Sequence, residues 1–372
     1  MRTYLGLVAV VFAVGCNSET IDVGETTSAL TKHCRDPEGC PLTNGGGTYT
    51  EELGNAHIGP DDFMIVQFIN TGSAPLLFIG RGIDRSNAFG NYTYRAGRVE
   101  YARYGSTTHR AVVSVTESLT MPTFTLATSN GPIYASGANL AQLELVLSFD
   151  DHLYTVSFGT PTLAAITPDS GSNGAVLQDV AMRWNAGDTK SANPATYCTR
   201  APLNGAAGTD DWAVFQQGIS VDPLTSVMSK DNTVTTLSCR RGAVATARWW
   251  NYIYRGTAAQ DDMFEAAMHM KRASYCGDDA FFTRRNTDIL VWDNAGNQTS
   301  PITPTNMEAS WGRVNGGPIH AVCVTGPNRR RPGALYEGDN FDRTCNGAVP
   351  TIPSCVTPVQ YPLGMLADRL AP

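Results

Sequence analysis

The chain has 372 residues, 16% of them charged and 42% hydrophobic, with a formal net charge of −7. Disorder over most of the length is excluded, because it needs low hydrophobicity with high charge, and the acidic balance argues against a nucleic-acid partner. With 36 Gly, 21 Pro and many short apolar runs, the chain reads as mainly β, in about two domains.

Arg2 precedes an apolar run from Leu5 to Val14. The run is too short to span ~30 Å of hydrocarbon and has the form of a secretory signal. It ends Ala13-Val14-Gly15-Cys16, small residues before a cysteine, which resembles the bacterial lipobox. Residues 1–15 are therefore read as a lipoprotein-type signal peptide, and Cys16 as the lipidated N-terminus of an exported protein held at the outer membrane or cell surface. Residues 16–47 carry little apolar periodicity and form a tether. Nine cysteines occur. Lipidation of Cys16 leaves eight for disulfides in an oxidising compartment, Cys34, Cys40, Cys198, Cys239, Cys276, Cys323, Cys345 and Cys355. Short separations favour the local pairs Cys34–Cys40 and Cys345–Cys355. Metal ligation is disfavoured, because zinc sites show close Cys or His pairs in tandem.

From 48 to 160 the signal is antiparallel β. Apolar segments occur at 65–69 and 76–79, and the pattern around Arg95-Ala96-Gly97 suggests a hairpin joining Tyr92 and Tyr94 to Val99 and Tyr101. Leu143, Leu145, Leu147 and Phe149 alternate strictly, Asp150-Asp151-His152 turns the chain, and Tyr154, Val156 and Phe158 return. That is an antiparallel hairpin. The Pro/Gly/Ser-rich stretch 161–185 is read as a boundary.

The second region, 186–330, holds one clear helix over about 258–272. Thr257 and Gln260 fit a capping box, Asp261 and Asp262 suit the first turn, and Lys271 and Arg272 suit the last. Met263, Ala267 and Met270 share a face, which places His269 on the opposite, solvated side. The helix is expected to pack on a small sheet that includes strands near 289–292 and 319–324. Residues 331–372 are read as a C-terminal disulfide loop and tail. The fold class is thus mainly β: an N-terminal antiparallel β-domain, then a disulfide-stapled α+β part with a small sheet and one main helix.

Arg272-Ala273-Ser274-Tyr275-Cys276-Gly277, at the exit of that helix, resembles the motif that names the ADYC domain, with Ser274 where the family has Asp. Leu237-Ser238-Cys239-Arg240-Arg241-Gly242-Ala243 is similar to the family's Cys-x-x-Gly-Ala segment. Glu308-Ala309-Ser310-Trp311 and Ala321-Val322-Cys323-Val324 are similar to its closing segments. The resemblance covers roughly 180–330 and implies an exported bacterial protein of a kind found notably in myxobacteria. It implies no particular chemistry. The family often carries two further cysteines where this chain has Ala247 and Ala267, as loss of one disulfide would leave it. The resemblance then implies Cys198–Cys239 and Cys276–Cys323 pairs. It also implies that Tyr275 and Cys276 are core and staple, with the side chain at 274 bonding backbone at the helix exit.

None of the six histidines sits in metal-binding spacing, and there is no Gly-x-Ser-x-Gly elbow. Asp261-Asp262, Asp278-Asp279 and Asp293-Asn294-Ala295-Gly296-Asn297 have calcium-like composition but lack alternating EF-hand carboxylates, so cap and turn roles account for them. The cluster Trp249, Trp250, Tyr252 and Tyr254 reads as core rather than a sugar-binding face, and Arg329-Arg330-Arg331 as a solvated loop. No catalytic residue, cofactor or metal is assigned. The expectation is a non-enzymatic envelope module that meets the membrane through its lipid anchor and binds a protein, peptide or glycan. The alternatives are an envelope-polymer hydrolase and a purely structural surface lipoprotein.

Overall fold

The computed structural model describes residues 64–84, 91–106, 108–165, 176–198, 200–203, 206–208, 212–222, 226–239, 242–254, 257–277, 289–303, 305–325, 352–355 and 365–370. The signal peptide, the tether, Cys16, Cys34, Cys40, Cys345 and Arg329-Arg330-Arg331 lie outside the described residues.

The strands before the helices are β1 (Met64–Ile69), β2 (Leu77–Asp84), β3 (Asn91–Tyr104), the two-residue β4 (His109–Arg110), β5 (Val112–Ser118), β6 (Met121–Leu126) and β7 (Ile133–Ala135). After a 3-10 turn come β8 (Leu143–Phe149), β9 (His152–Phe158), β10 (Thr162–Ala165), β11 (Val176–Ala186), β12 (Ala195–Thr196), β13 (Arg200–Leu203), β14 (Ala206–Gly208), β15 (Trp212–Val221) and β16 (Met228–Cys239). β1 to β3, β8, β9, β11, β15 and β16 pair in that order, every pair antiparallel, and β16 returns to β1 at Gln67–Ile69. β11 completes the ring by holding β9 along Met182–Ala186 and β15 at Val180 and Ala181. The result is a closed eight-stranded barrel, which removes sheet edges altogether.

Aromatic side chains fill it. Phe68 of β1 meets Phe78 of β2 and Phe215 of β15, each at 6.4 Å between ring centroids, and Phe78 meets Phe149 of β8 at 6.1 Å. Phe68 and Phe215, and Phe78 and Phe149, lie on strands that are not neighbours in the ring. Phe124, from the separate sheet β5–β6–β7, contacts Phe68, Phe158 and Phe215 at 5.8, 5.3 and 6.3 Å. The turn of β5–β6 is pinned at Thr120, whose Oγ1 donates to the Gln178 carbonyl (2.7 Å).

Two sequence-based expectations change here. Arg95-Ala96-Gly97 does not turn; β3 runs unbroken for 14 residues. Gly97 faces Phe78 across the ladder, and a Cβ there would lie 2.3 Å from the Phe78 Cζ, so the glycine makes room for a ring. The stretch 161–185 does not divide two sheets, since β10 lies within it and β11, which begins in it, closes the barrel. One continuous core runs from Met64 to Leu366.

The β8–β9 hairpin matches its alternation. Its loop places Asp150 and Asp151 at φ 48° and 62°, the left-handed region that Gly fills best at a two-residue turn. Asp150 is held by Arg95 (3.1 Å), whereas Asp151 is exposed. Replacing Asp151 by Gly is expected to stabilise the protein by about 0.5–1 kcal/mol, read as a higher denaturant midpoint.

Beyond the barrel, α2 (Ala258–Arg272) packs on a second sheet of β17 (Ile289–Asp293), β18 (Ala309–Arg313), β19 (Ile319–Val324) and β20 (Leu366–Leu370), and α1 (Ala243–Trp249) packs against α2 and the barrel strands β11, β15 and β16. Its order is β17-β20-β18-β19, so the segment expected to be a tail supplies an internal strand. α2 has the expected limits but not a full capping box. The Thr257 hydroxyl donates to Gln260 Oε1 (2.8 Å) and caps no backbone N–H.

Candidate functional site

The motif segment closes α2 against the small sheet. Ala273 takes a left-handed C-cap conformation (φ 50°), with its N–H bonded to the Met270 carbonyl (3.1 Å) and that of Ser274 to the His269 carbonyl (2.9 Å). The chain then adds to β19 through Ala321 N–H and the Tyr275 carbonyl (2.8 Å). Ala273 and Ser274 are fully buried, and Tyr275 and Cys276 nearly so. The Tyr275 ring stacks on Trp311 at 5.6 Å and its hydroxyl donates to the buried Glu308 carboxylate (2.6 Å). Trp311 Nε1 donates to Asp368 of β20 (2.9 Å). Tyr275 is therefore a core anchor bonded to a buried acid. Tyr275→Phe keeps the stack and removes the bond; it is expected to cost about 1.5–3 kcal/mol, the range for hydrogen bonds to charged groups, in chemical denaturation.

Cys198 is joined to Cys239 and Cys323 to Cys355. The second bond overturns both the Cys276–Cys323 and the Cys345–Cys355 pairings. Cys355 follows a segment in which Val324 N–H bonds the Pro353 carbonyl (3.0 Å), so the chain runs alongside β19 and brings Cys355 to Cys323. Cys276 is disulfide-bonded as well.

His269 is not solvated: it is fully buried, and α2 is covered on nearly all sides from Met263 to Met270. The other acidic candidates are committed to the fold. Asp261 is bridged by Lys230 (2.6 Å), and Asp262 holds Arg313 (2.8 Å), which raises the Arg313 pKa above its ordinary value. Asp293 accepts N–H groups from Ala295, Asn297 and Gln298 (2.6–3.1 Å) and the Tyr252 hydroxyl (2.9 Å), so its carboxylate organises a turn. Burial, then the adjacent Asp293 carboxylate, pushes the Tyr252 phenol well above its usual range. Asp278-Asp279 lies outside the described residues. Among the described residues no three His, Cys, Asp or Glu side chains gather to hold a metal ion. Of the aromatic cluster Tyr252 is buried, and Trp250 and Tyr254 pack half-buried on the core.

One cleft stands beside this framework, between the α1–α2 connection, the first turns of α2 and the turn after β17. It measures about 240 Å³ and is lined by Asn251, Tyr252, Gln260, Met263 and Asn297 among others. Asn251 is left-handed (φ 67°), which turns its side chain to donate to Asn297 Oδ1 (3.2 Å). The space is that of about eight waters. Apart from the Tyr252 phenol, bound to Asp293, the lining side chains do not titrate. Sequence reasoning missed this site, because neutral amides 46 positions apart have no spacing signature.

No curated protein and no solved structure matches the chain. The ADYC domain family model matches residues 137–330, just over half the length. That match begins at the 3-10 turn before β8 and so includes barrel strands together with α2 and three strands of the small sheet, in agreement with a core that runs through both. The motif at the exit of α2, the strands around it and this match together place the chain in the ADYC domain family.

Proposed function

We propose that the protein is an exported, lipid-anchored envelope module that binds a neutral glycan in the Asn251–Gln260–Asn297 cleft and does not turn it over. The observation that carries this reading is the chemistry of the lining. Three carboxamides offer paired donors and acceptors to vicinal hydroxyls, and the Met263 thioether and the Tyr252 ring offer apolar surface. Nothing there supplies a nucleophile or a proton-transfer pair. Disulfides at Cys198–Cys239 and Cys323–Cys355 fit an oxidising compartment, and no helix among the described residues is long and apolar enough to cross a membrane. The anchor rests on Ala13-Val14-Gly15-Cys16. Cys16→Ala is expected to abolish fatty-acid labelling and move the protein from the membrane to the soluble fraction; unchanged fractionation would contradict the anchor.

Thermal-shift screening of the oxidised full chain with neutral oligosaccharides, anionic polysaccharides and peptides tests the ligand. Binding stabilises the native state by about 2.7 kcal/mol at 100 times Kd. A rise in Tm with neutral glycans, without released product, supports the reading. Product formation abolished by one His or carboxylate substitution would instead establish a hydrolase.

A further inference from the structure

His269 is wholly buried, and neither ring nitrogen has a hydrogen-bond partner among the described residues. A buried polar group without a partner needs a physical explanation. Glu265, one turn earlier on α2, places Oε1 3.8 Å from Nε2. On the facing strand β19, His320 is 5% exposed and its Nδ1 lies 2.8 Å from the Pro318 carbonyl. Two imidazoles and one carboxylate thus share the seam between α2 and the small sheet. We propose that His269, Glu265 and His320 form an acid-sensitive latch that holds α2 on that sheet at neutral pH and releases it as His320 gains a proton.

The surrounding charges set the sign. From the other elements on α2, Arg248 of α1 lies 3.6 Å from Glu117, Arg313 of β18 is held by Asp262, and Asp368 of β20 accepts from Trp311. On α2, Asp261 is bridged by Lys230 and Arg272 donates to Ser226 (2.7 Å). Lys271 of α2 and Arg369 of β20, both half-buried, add positive charge. Glu265 is the negative group beside His269, and its charge also acts on Arg313 of β18. It offsets one imidazolium; a second meets repulsion in a seam shielded from water. Burial depresses the His320 pKa below its ordinary 6.5; the bond to the Pro318 carbonyl works against this, and His269 adds a smaller depression. A histidine whose folded pKa is depressed stabilises the fold above the unfolded value near 6.5. That contribution is lost as pH falls through the folded value. Gln260 and Met263, on the same helix, line the cleft, so release of α2 also loosens any ligand there, a consequence that rests on the reading of the cleft as a binding site.

Hydrogen exchange of the oxidised full chain, corrected for intrinsic rates, tests the latch without any ligand. Between about pH 7.5 and 4.5, opening of α2 should rise about tenfold or more while β1–β3 hold steady. His320→Gln should flatten the rise, and Glu265→Gln, which removes the counter-charge, should move it to higher pH. Equal responses in α2 and the barrel, or wild-type profiles in both variants, would overturn the proposal.

Discussion

Removing the Cys198–Cys239 disulfide by a double alanine substitution is expected to lower the unfolding free energy by about 4 kcal/mol. The bond closes a loop across 41 positions, and the chain-entropy cost of opening such a loop in the unfolded state is of that size. Position strengthens the expectation. Cys239 ends β16, a barrel strand, and Cys198 follows Tyr197, whose hydroxyl accepts from Ile65 N–H (2.7 Å) and donates to the Ile65 carbonyl (3.0 Å). The staple therefore holds the segment after β12 against two barrel strands. Non-reducing chemical denaturation measures it; a loss below about 1 kcal/mol would show that the unfolded chain retains this contact without the bond.

The second large effect is expected at Gly277. Its φ is 65°, and a Cβ there would lie 2.5 Å from the Ile319 carbonyl oxygen, an atom of β19 that cannot swing aside. Gly277→Ala combines left-handed strain of about 1–2 kcal/mol with a backbone clash, for a total of about 2–4 kcal/mol. Gly296 is the control: φ is 80° but nothing lies within 4 Å. Gly296→Ala should cost only the strain. Equal losses at the two glycines would mean that the motif loop yields, and that Gly277 is not held against β19.

These residues also show what the sequence carried. Strict alternation marked β8 and β9 because each position faces either core or solvent. The terminal charges of α2 marked its ends. The same helix misled about His269, since burial all round leaves no polar face for a periodicity to expose. α1 was missed for the same reason, with Ala243 to Arg248 all buried. Gly97 read as a turn because its role is set by Phe78 on another strand. The barrel could not be seen from spacing, since β11 and β16 find their partners across the linear boundary. Likewise Cys323–Cys355 depends on where residues near Pro353 run in space. Of the cleft, Tyr252, Gln260, Met263 and Asn297 stood out in the sequence, each for a core or local role.

On the proposed function, the Ala273–Gly277 motif is structural and recognition belongs to the cleft. Calorimetric titration of the oxidised full chain with a neutral N-acetylglucosamine oligomer, using wild type, Asn297→Ala and Tyr275→Phe, tests that division most directly. Asn297→Ala should weaken binding about tenfold or more, the loss of roughly 1.4 kcal/mol, with little change in stability. Tyr275→Phe should lower stability and leave the affinity of the folded protein unchanged. Loss of affinity in Tyr275→Phe with full affinity in Asn297→Ala would contradict the account and move recognition to the motif.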